Sequence, residues 1–364
     1  MLRFASLLEH EFSKRGHSVR LIQPQPLFGK LGRDSSWVQK WFGYVDKFII
    51  FPLQLRRSKK GFDVVHICDH SNSMYVRHVA DLPNVVTCHD MLAIRSALGE
   101  IPQNPTSSTG KILQHFILRG LTRSRQIVCV SANTKTELLR ITEISDSKIS
   151  VVPLGLSYPY APMDRGPALQ QLDRYNVVAK KPFFLHVGGR AWYKNRLGVL
   201  QIFCRLRSLE PFREHRLVMI GQSFESSLIE FIASHGLNEV VSCISNVPNE
   251  DLRAAYSLAT GLIFPSLQEG FGWPILEAQS CGCPVFTTNR APMTEVGGTA
   301  ATYFDPDHLE EAAQIISSAL NEKNLRERSL MNASRFNLHQ MIEGYLAAYS
   351  TAVGETTSRH PERF

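Results

Sequence analysis

Short apolar runs alternate with longer amphipathic stretches along almost the whole chain. The runs Val19–Ile22, Asp63–Cys68, Asn84–Cys88, Gln126–Val130 and Ile149–Val152 read as strands, as do Phe183–Val187, Arg216–Ile220, Val240–Ile244, Gly261–Phe264 and Pro284–Thr287. Most are rich in Val and Ile and lack clean alternation, which is the pattern of parallel strands covered on both faces. The segments between them read as helices, and the Thr134-x-x-Glu137 spacing predicts a capping box at the start of one over Thr134–Thr142. Repeated βα units of this kind predict doubly wound sheets.

The pattern breaks between Pro153 and Pro182, where Pro153, Gly155, Pro159, Pro162, Gly166 and Pro167 crowd a stretch with little apolar period. That stretch reads as a linker, giving an N-terminal domain over 1–160 and a second over 161–337. The front is unusual. Leu2, Phe4, Leu7, Leu8 and Phe12 are spaced as an amphipathic helix ending at Gly16. An α/β domain opens with a strand and a glycine-containing loop before such a helix; here the first strand of the N-domain is missing. Either the sheet lacks one strand or Met1 is an internal start. The tail 354–364 is polar, without apolar period, and is expected to fray.

A length of 364 residues suits two domains, and the hydrophobic and charged fractions are those of a globular protein. No run approaches the ~20 apolar residues that span a bilayer, and the N-terminus lacks the grammar of a secretory signal. The net charge of +7 favours anionic partners without choosing among them. Seven scattered cysteines, without a C-x₂-C pair, predict buried free thiols in a reducing cytoplasm rather than disulfides. Cys281-Gly-Cys283 is too tight for the usual zinc spacing, so no metal site is expected. The stretch Trp37–Lys60 mixes Trp37, Trp41, Phe42, Phe48 and Phe51 with Lys40, Lys47, Arg56, Arg57, Lys59 and Lys60. Two readings stand: an amphipathic helix on a membrane surface, or a buried helix with a solvated basic end, interrupted at Pro52.

The most informative segment runs from Gly261 to Phe286 and reads as strand, loop, helix, turn, strand. Pro265 ends the strand, Gly270 and Gly272 allow close backbone approach, Pro274 suits a first helical turn, and Gly282 suits a left-handed cap. The helix N-terminus then offers free N–H groups to an anion, and a diphosphate is the natural occupant. Glu269 and Glu277 flank this loop; carboxylates accept hydrogen bonds from sugar hydroxyls, so one Glu can hold a hexose and the other a ribose. A lone Gly-x-Gly would be only a tight turn. Two Glu residues eight apart around it are far more specific.

This segment resembles the E-x₇-E signature of retaining nucleotide-sugar glycosyltransferases of the GT-B fold, in the group 1 (family four) set. Other motifs extend the resemblance over nearly the whole chain: Asn84-Val-Val-Thr-Cys-His89-Asp90, Val128-Cys-Val-Ser131, Val152-Pro-Leu-Gly155, Val187-Gly188-Gly189-Arg190 with Lys194-Asn195, and Asn246-Val-Pro248 with Leu252 and Tyr256. Arg335-Phe336 followed by Tyr345 and Tyr349 is similar to the closing helix, about 338–353, that returns to the N-domain. The resemblance implies two Rossmann-like domains facing across a cleft, the N-domain on the acceptor side and the C-domain binding the donor. It implies catalytic roles for His89, Arg190, Lys194 and Glu269. Arg190 and Lys194 would hold the distal phosphate and stabilise the leaving nucleoside diphosphate without a metal. Glu269 would bind the donor sugar and Glu277 the ribose. Gly188, Gly189, Val247, Gly270, Phe271 and Gly272 would line the donor site. His89 would reach the donor sugar or reacting centre, and His70 is the candidate on the acceptor side. Retention in this family proceeds by front-face attack, so no side chain need act as nucleophile.

The expected function is transfer of a hexose from a nucleoside-diphosphate sugar to a saccharide or lipid-linked saccharide, with retention. No cofactor is expected, the donor base (GDP or UDP) is undecided, and Glu-Gly-Phe-Gly-x-Pro-x-Leu-Glu leans towards mannose. The expected place is the cytoplasm, or its inner membrane face. The alternative is a catalytically weak nucleotide-sugar-binding partner protein lacking a complete acceptor site. Nucleic acid is not expected as a partner, since no zinc spacing, RNP-like motif or compact basic repeat is present.

Overall fold

A computed structural model describes residues 2–24, 43, 45–175 and 181–359. The chain divides into two units, Met1–Pro153 with His339–Phe364, and Leu154–Leu338. In the first, the helix Leu2–Lys14 precedes four parallel strands: β1 (Val65–Ile67), β2 (Asn84–Cys88), β3 (Gln126–Cys129) and β4 (Ile149–Val151), laid side by side in that order. β2 and β3 are buried along their whole length, so both faces of the sheet are covered. The helix Ser108–Arg123 lies against the 3₁₀ segment His70–His78. Gly120 permits that approach, since a Cβ there would overlap the Ser73 carbonyl. The helix Leu338–Arg359 packs with this unit and buries Ile342, Tyr345 and Ala352. His66 on β1 bonds through Nε2 to Thr87 Oγ1 (2.7 Å) and through Nδ1 to the Tyr349 hydroxyl (2.8 Å). Burial pushes its pKa down to about 3, so it stays neutral.

The second unit holds β5 (Phe183–Gly188), β6 (Arg216–Gly221), β7 (Val241–Ile244), β8 (Gly261–Phe264), β9 (Val285–Thr288) and β10 (Thr302–Phe304). All are parallel, in the order β10-β9-β8-β5-β6-β7. Phe184, Leu217, Met219, Ile263 and Phe286 of this sheet belong to one buried cluster with Val199, Phe203 and Ile316 of the helices Arg196–Ser208 and Leu309–Ala319. The chain winds outward from β5 to β7, then crosses back to lay β8 on the other side of β5. Their carboxyl ends therefore form a topological switch point, where open α/β sheets leave a crevice for ligands.

The structure corrects several expectations. Val19–Ile22 is not a strand: it is irregular, with Val19 and Leu21 exposed. A parallel strand needs a neighbour to ladder with, and among the described residues β1 pairs only with β2. β10 is an addition, unexpected because Thr302–Phe304 is short and only Phe304 is buried. The cap of the helix Ala132–Ile141 is Ser131, whose Oγ accepts from the Thr134 N–H (3.1 Å). Glu137 instead pairs with Arg140 (2.8 Å) and Arg95 (3.2 Å). The Pro153–Pro182 stretch is partly helical, over Arg165–Leu172, and Asp251 holds it through Gln171, Arg174 and Tyr175. Residues ahead of that helix are also held by the second unit, since Met163 N–H donates to Ser257 Oγ and Arg253 Nε–H to the Ala161 carbonyl.

The last helix runs to Arg359, and residues 360–364 of the tail expected to fray lie outside the described residues. Pro52 does not interrupt a helix; it occupies the first turn of Phe51–Ser58. Trp37, Lys40, Trp41 and Phe42 lie outside the described residues. All seven cysteines are free, but Cys68, Cys204 and Cys243 are only half-buried. No helix among the described residues is long and apolar enough to cross a membrane.

Candidate functional site

The loops that follow β5 and β8 meet at the switch point. They are stitched by Leu267 N–H to the Tyr193 carbonyl (2.8 Å) and by Asn195 Nδ2 to the Pro265 carbonyl (3.2 Å). Asn195 takes a left-handed conformation and caps the helix Arg196–Ser208 with its own Oδ1, which turns the chain sharply after Lys194. Lys194 then reaches the second loop, and its Nζ lies 2.7 Å from Glu269 Oε1. Their side chains are only 16% and 10% exposed. The Lys194 ammonium also lies 5.2 Å from the centre of the Phe264 ring and 5.6 Å from that of Tyr193.

Beneath this pair sits His186, fully buried on β5 and stacked on Phe264. Its Nδ1 faces the Ile263 carbonyl at 3.0 Å and so carries the proton, which leaves Nε2 a bare acceptor without a protein partner. Burial first, and the Lys194 and Arg196 charges after it, push the His186 pKa down to about 4. Gly188 lies directly above: a Cβ there would stand 2.8 Å from His186 Nε2.

Arg190 leaves the same loop for a different anchor. Its N–H donates to Gln222 Oε1 (2.9 Å), its Nε to the Ser223 carbonyl (3.1 Å) and its Nη2 to Ser223 Oγ (2.5 Å), with the side chain 47% exposed. The buried Arg196 grips the same turn, donating to the Gln222 carbonyl (2.8 Å) and Glu225 Oε2 (3.1 Å). The loop after β6 is thus part of the site, which sequence reasoning misses. The available signal is Gly221-Gln222-Ser223 closing an apolar strand; Gly221 is required because a Cβ would collide with the Gly188 carbonyl.

On the other loop, Gly272 is left-handed (φ 106°) and opens the helix Trp273–Ser280, with Pro274 in its first turn. Gly282 closes it in a Schellman arrangement: its N–H bonds the Gln279 carbonyl (2.9 Å) and Cys283 N–H the Ala278 carbonyl (2.9 Å). Phe271 is buried, edge-on to Trp273 and Phe336, which fixes the backbone between the two glycines. One turn into the helix, Glu277 Oε2 accepts from the Tyr256 hydroxyl (2.9 Å). The second unit thus brings Gly188, Gly189, Arg190, Lys194, Glu269, Gly270 and Gly272 to one end of its sheet, with the Arg190 side chain anchored on the loop after β6. Val247, half-buried, follows β7 beside the left-handed Asn246.

In the first unit, His89 and His70 touch at the ends of β2 and β1. The His89 backbone N–H donates to His70 Nδ1 (3.3 Å), and His89 Nε2–H to the Cys68 carbonyl (2.9 Å). His89 is edge-on to Phe4, and burial above all lowers its pKa. Both histidines are therefore held by packing. Among the described residues, no three or more His, Cys, Asp or Glu side chains group as metal ligands.

Comparison with known proteins bears on both units. The family model described as "Glycosyl transferases group 1" matches residues 170–336, and "Glycosyltransferase Family 4" matches residues 3–157. The chain is 27% identical over 286 residues to O-antigen chain mannosyltransferase B of Escherichia coli, a match covering 77% of this chain and 73% of that one. It is 24% identical over 248 residues to O-antigen chain mannosyltransferase RfbU of Salmonella typhimurium, covering 67% of this chain and 65% of its relative. The crystal structure of Anabaena HepE in complex with UDP and glucose superposes with a TM-score of 0.70 at 16% identity, covering 94% of this chain and 88% of that one.

Proposed function

The chain belongs to the group 1 glycosyltransferases and has the GT-B fold, and from that premise we propose that it transfers a hexose, with retention, from a nucleoside-diphosphate sugar to a saccharide or lipid-linked saccharide. The observation that carries the reading is the Lys194–Glu269 pair, 2.7 Å apart and nearly enclosed, at the β5/β8 switch point between two glycine loops. Lys194 has three N–H donors and Glu269 uses one. The others suit the distal phosphate, and Arg190 adds a second cation. Fixed cations in a water-poor crevice stabilise the charge that develops on a departing diphosphate by several kcal/mol. That is why the reading needs no metal.

Glu269 takes hydroxyls of the sugar, and Glu277, oriented by Tyr256, takes those of the ribose. Backbone N–H groups of the 270–272 loop and the helix that follows face the phosphates. His89, kept neutral by burial, is the first unit's candidate for a role at the reacting centre, and His70 its candidate for the acceptor. Attack then comes from the face the diphosphate leaves, and the diphosphate itself takes the acceptor's proton. Mannose is the favoured sugar, which the two O-antigen mannosyltransferase relatives support. The setting is the cytoplasm, at the inner membrane face when the acceptor is lipid-linked.

The test is a panel of UDP-, GDP- and ADP-sugars scored by thermal stabilisation and by donor hydrolysis. A ligand at 100 times its Kd adds about 2.7 kcal/mol to the native state, or roughly 5–10 °C for a unit of this size. One donor should give that shift and turn over in EDTA. A flat panel would sink the proposal; turnover only with added divalent ion would sink its metal-free part.

A further inference from the structure

His186 is the one polar side chain in the strand run Phe183-Phe184-Leu185-His186-Val187, and it is fully buried. A phenylalanine there would fill the same space without burying a polar atom. The imidazole brings two nitrogens, and the Ile263 carbonyl matches only Nδ1 (3.0 Å). Nε2 has no hydrogen-bond partner. Buried polar atoms are nearly always paired, because the water they leave has to be replaced. A bare acceptor at the switch-point end of the sheet therefore calls for a donor that the site supplies.

The geometry singles out one. From the place a Cβ on Gly188 would take, Nε2 is 2.8 Å away and the Lys194 Cδ 3.6 Å away. The ring nitrogen and the lysine stem thus close on the same small space, which only a glycine leaves open. Both groups also share Phe264: the ammonium lies 5.2 Å from the centre of that ring, and His186 is stacked on it at 6.3 Å. The other cation that His186 feels, Arg196, is committed to the Gln222 carbonyl and Glu225. An ammonium has three N–H donors. Glu269 takes one at 2.7 Å, and the distal phosphate need take only a second.

We propose that His186 is a positioning residue for Lys194, its bare Nε2 accepting the third N–H of the ammonium and holding that cation beneath the departing diphosphate. The bond forms as Nζ turns from Glu269 towards the phosphate, a rotation of the last two lysine torsions with the stem already beside the ring. A neutral imidazole fixes the cation without cancelling its charge, as a second carboxylate would; burial keeps it neutral. This role rests on the assignment of Lys194 to the diphosphate.

The experiment measures kcat and KM for hydrolysis of whichever UDP-, GDP- or ADP-sugar of the panel turns over fastest, with each variant assayed below its melting range. His186→Phe keeps the ring and removes the acceptor; it should lower kcat roughly 10- to 100-fold, the worth of a hydrogen bond to a charged group, with KM changed less than about threefold. His186→Gln returns an oxygen near the Nε2 position and should recover to within about fivefold of wild type. In a Lys194→Met background, adding His186→Phe should change kcat less than about twofold, since no donor is left to hold. His215 is the matched control: buried against Phe184 and Phe212, with Nδ1 unpartnered, but placed before β6 at the amino end of the sheet. His215→Phe should keep wild-type kcat.

Wild-type kcat in His186→Phe, equal losses in the Phe and Gln variants, an equal loss in His215→Phe, or a full further loss on top of Lys194→Met each overturns the role. If His186→Phe does not fold, His186→Asn replaces it with the same expected losses, since its amide reaches the Ile263 carbonyl but not the Nε2 position. Wild type that hydrolyses no sugar of the panel removes the transferase reading and this role with it, whereas turnover undisturbed by the His186 variants removes the role alone.

Discussion

The Lys194–Glu269 pair can be dissected by a double-mutant cycle with Lys194→Met, Glu269→Gln and the double variant. At 2.7 Å the Coulomb attraction at an effective dielectric of 20 is ~6 kcal/mol, most of it offset by desolvation of two nearly enclosed groups. Removing one partner strands the other, at a cost of ~3–5 kcal/mol. That corresponds to roughly 6–20 °C in the melting of a unit this size. The double variant strands neither, and should recover at least ~2 kcal/mol of the sum of the singles. Turnover should behave differently. Each single, measured below its melting range, should lose at least ~10²-fold in kcat, and the double should recover none of it, because the phosphate has lost its cation and the sugar its carboxylate. Additive melting shifts would refute the buried pair. Turnover restored in the double would refute the catalytic role and leave a structural clasp.

Other perturbations reach the rest of the same geometry. His186, neutral when folded with a pKa of about 4, titrates near 6.5 when unfolded, so the unfolded chain binds more protons between those values. Stability is therefore full above pH 6.5 and falls as pH drops towards 4, by ~2 kcal/mol between pH 7.5 and 5; urea titrations of His186→Phe should lack that part of the slope, and identical slopes would contradict it. Tyr256→Phe removes the hydroxyl that orients Glu277 and should weaken donor affinity about tenfold, ~1.4 kcal/mol, with kcat little changed; isothermal titration with the stabilising donor decides. Gly120→Ala forces a methyl into the Ser73 carbonyl and should cost more than ~2 kcal/mol in urea unfolding, whereas Gly166→Ala, helical and facing open space, should be neutral or gain up to ~1 kcal/mol.

Strand positions are legible where apolar runs are long enough to be buried on both faces. Asn84–Cys88 and Gly261–Phe264 stand as read, and their neighbours differ by a residue or two at the ends. Val19–Ile22 shows the limit: it has a strand's composition, but a strand exists only with a partner, and composition carries no information about partners. The reverse holds at Thr302–Phe304, where pairing to β9 makes a strand that has no long apolar run. In the second unit, the glycines, Pro274 and the two glutamates are readable because each imposes a local backbone or charge requirement. His186, Gln222 and Ser223 are not, because their part depends on β5 lying between β6 and β8, a fact of topology. Thr134 mimics a cap because Ser131, three residues earlier, offers the same chemistry at the true helix start.

The helix Leu338–Arg359 belongs, from His339 on, to a unit whose other described elements all precede Leu154. During synthesis the second unit is complete on the ribosome before the first can be. Until the final segment emerges, the groove awaiting Ile342, Tyr345 and Ala352 stays open to water, and the opening helix lacks its Phe4–Tyr345 contact. At roughly 5–20 residues per second the delay after Pro153 is on the order of 10–40 s. The nascent N-terminal half is thus the aggregation-prone species in the life of this protein, and a chaperone that shields it acts on a gap left by connectivity, not on a weak sequence.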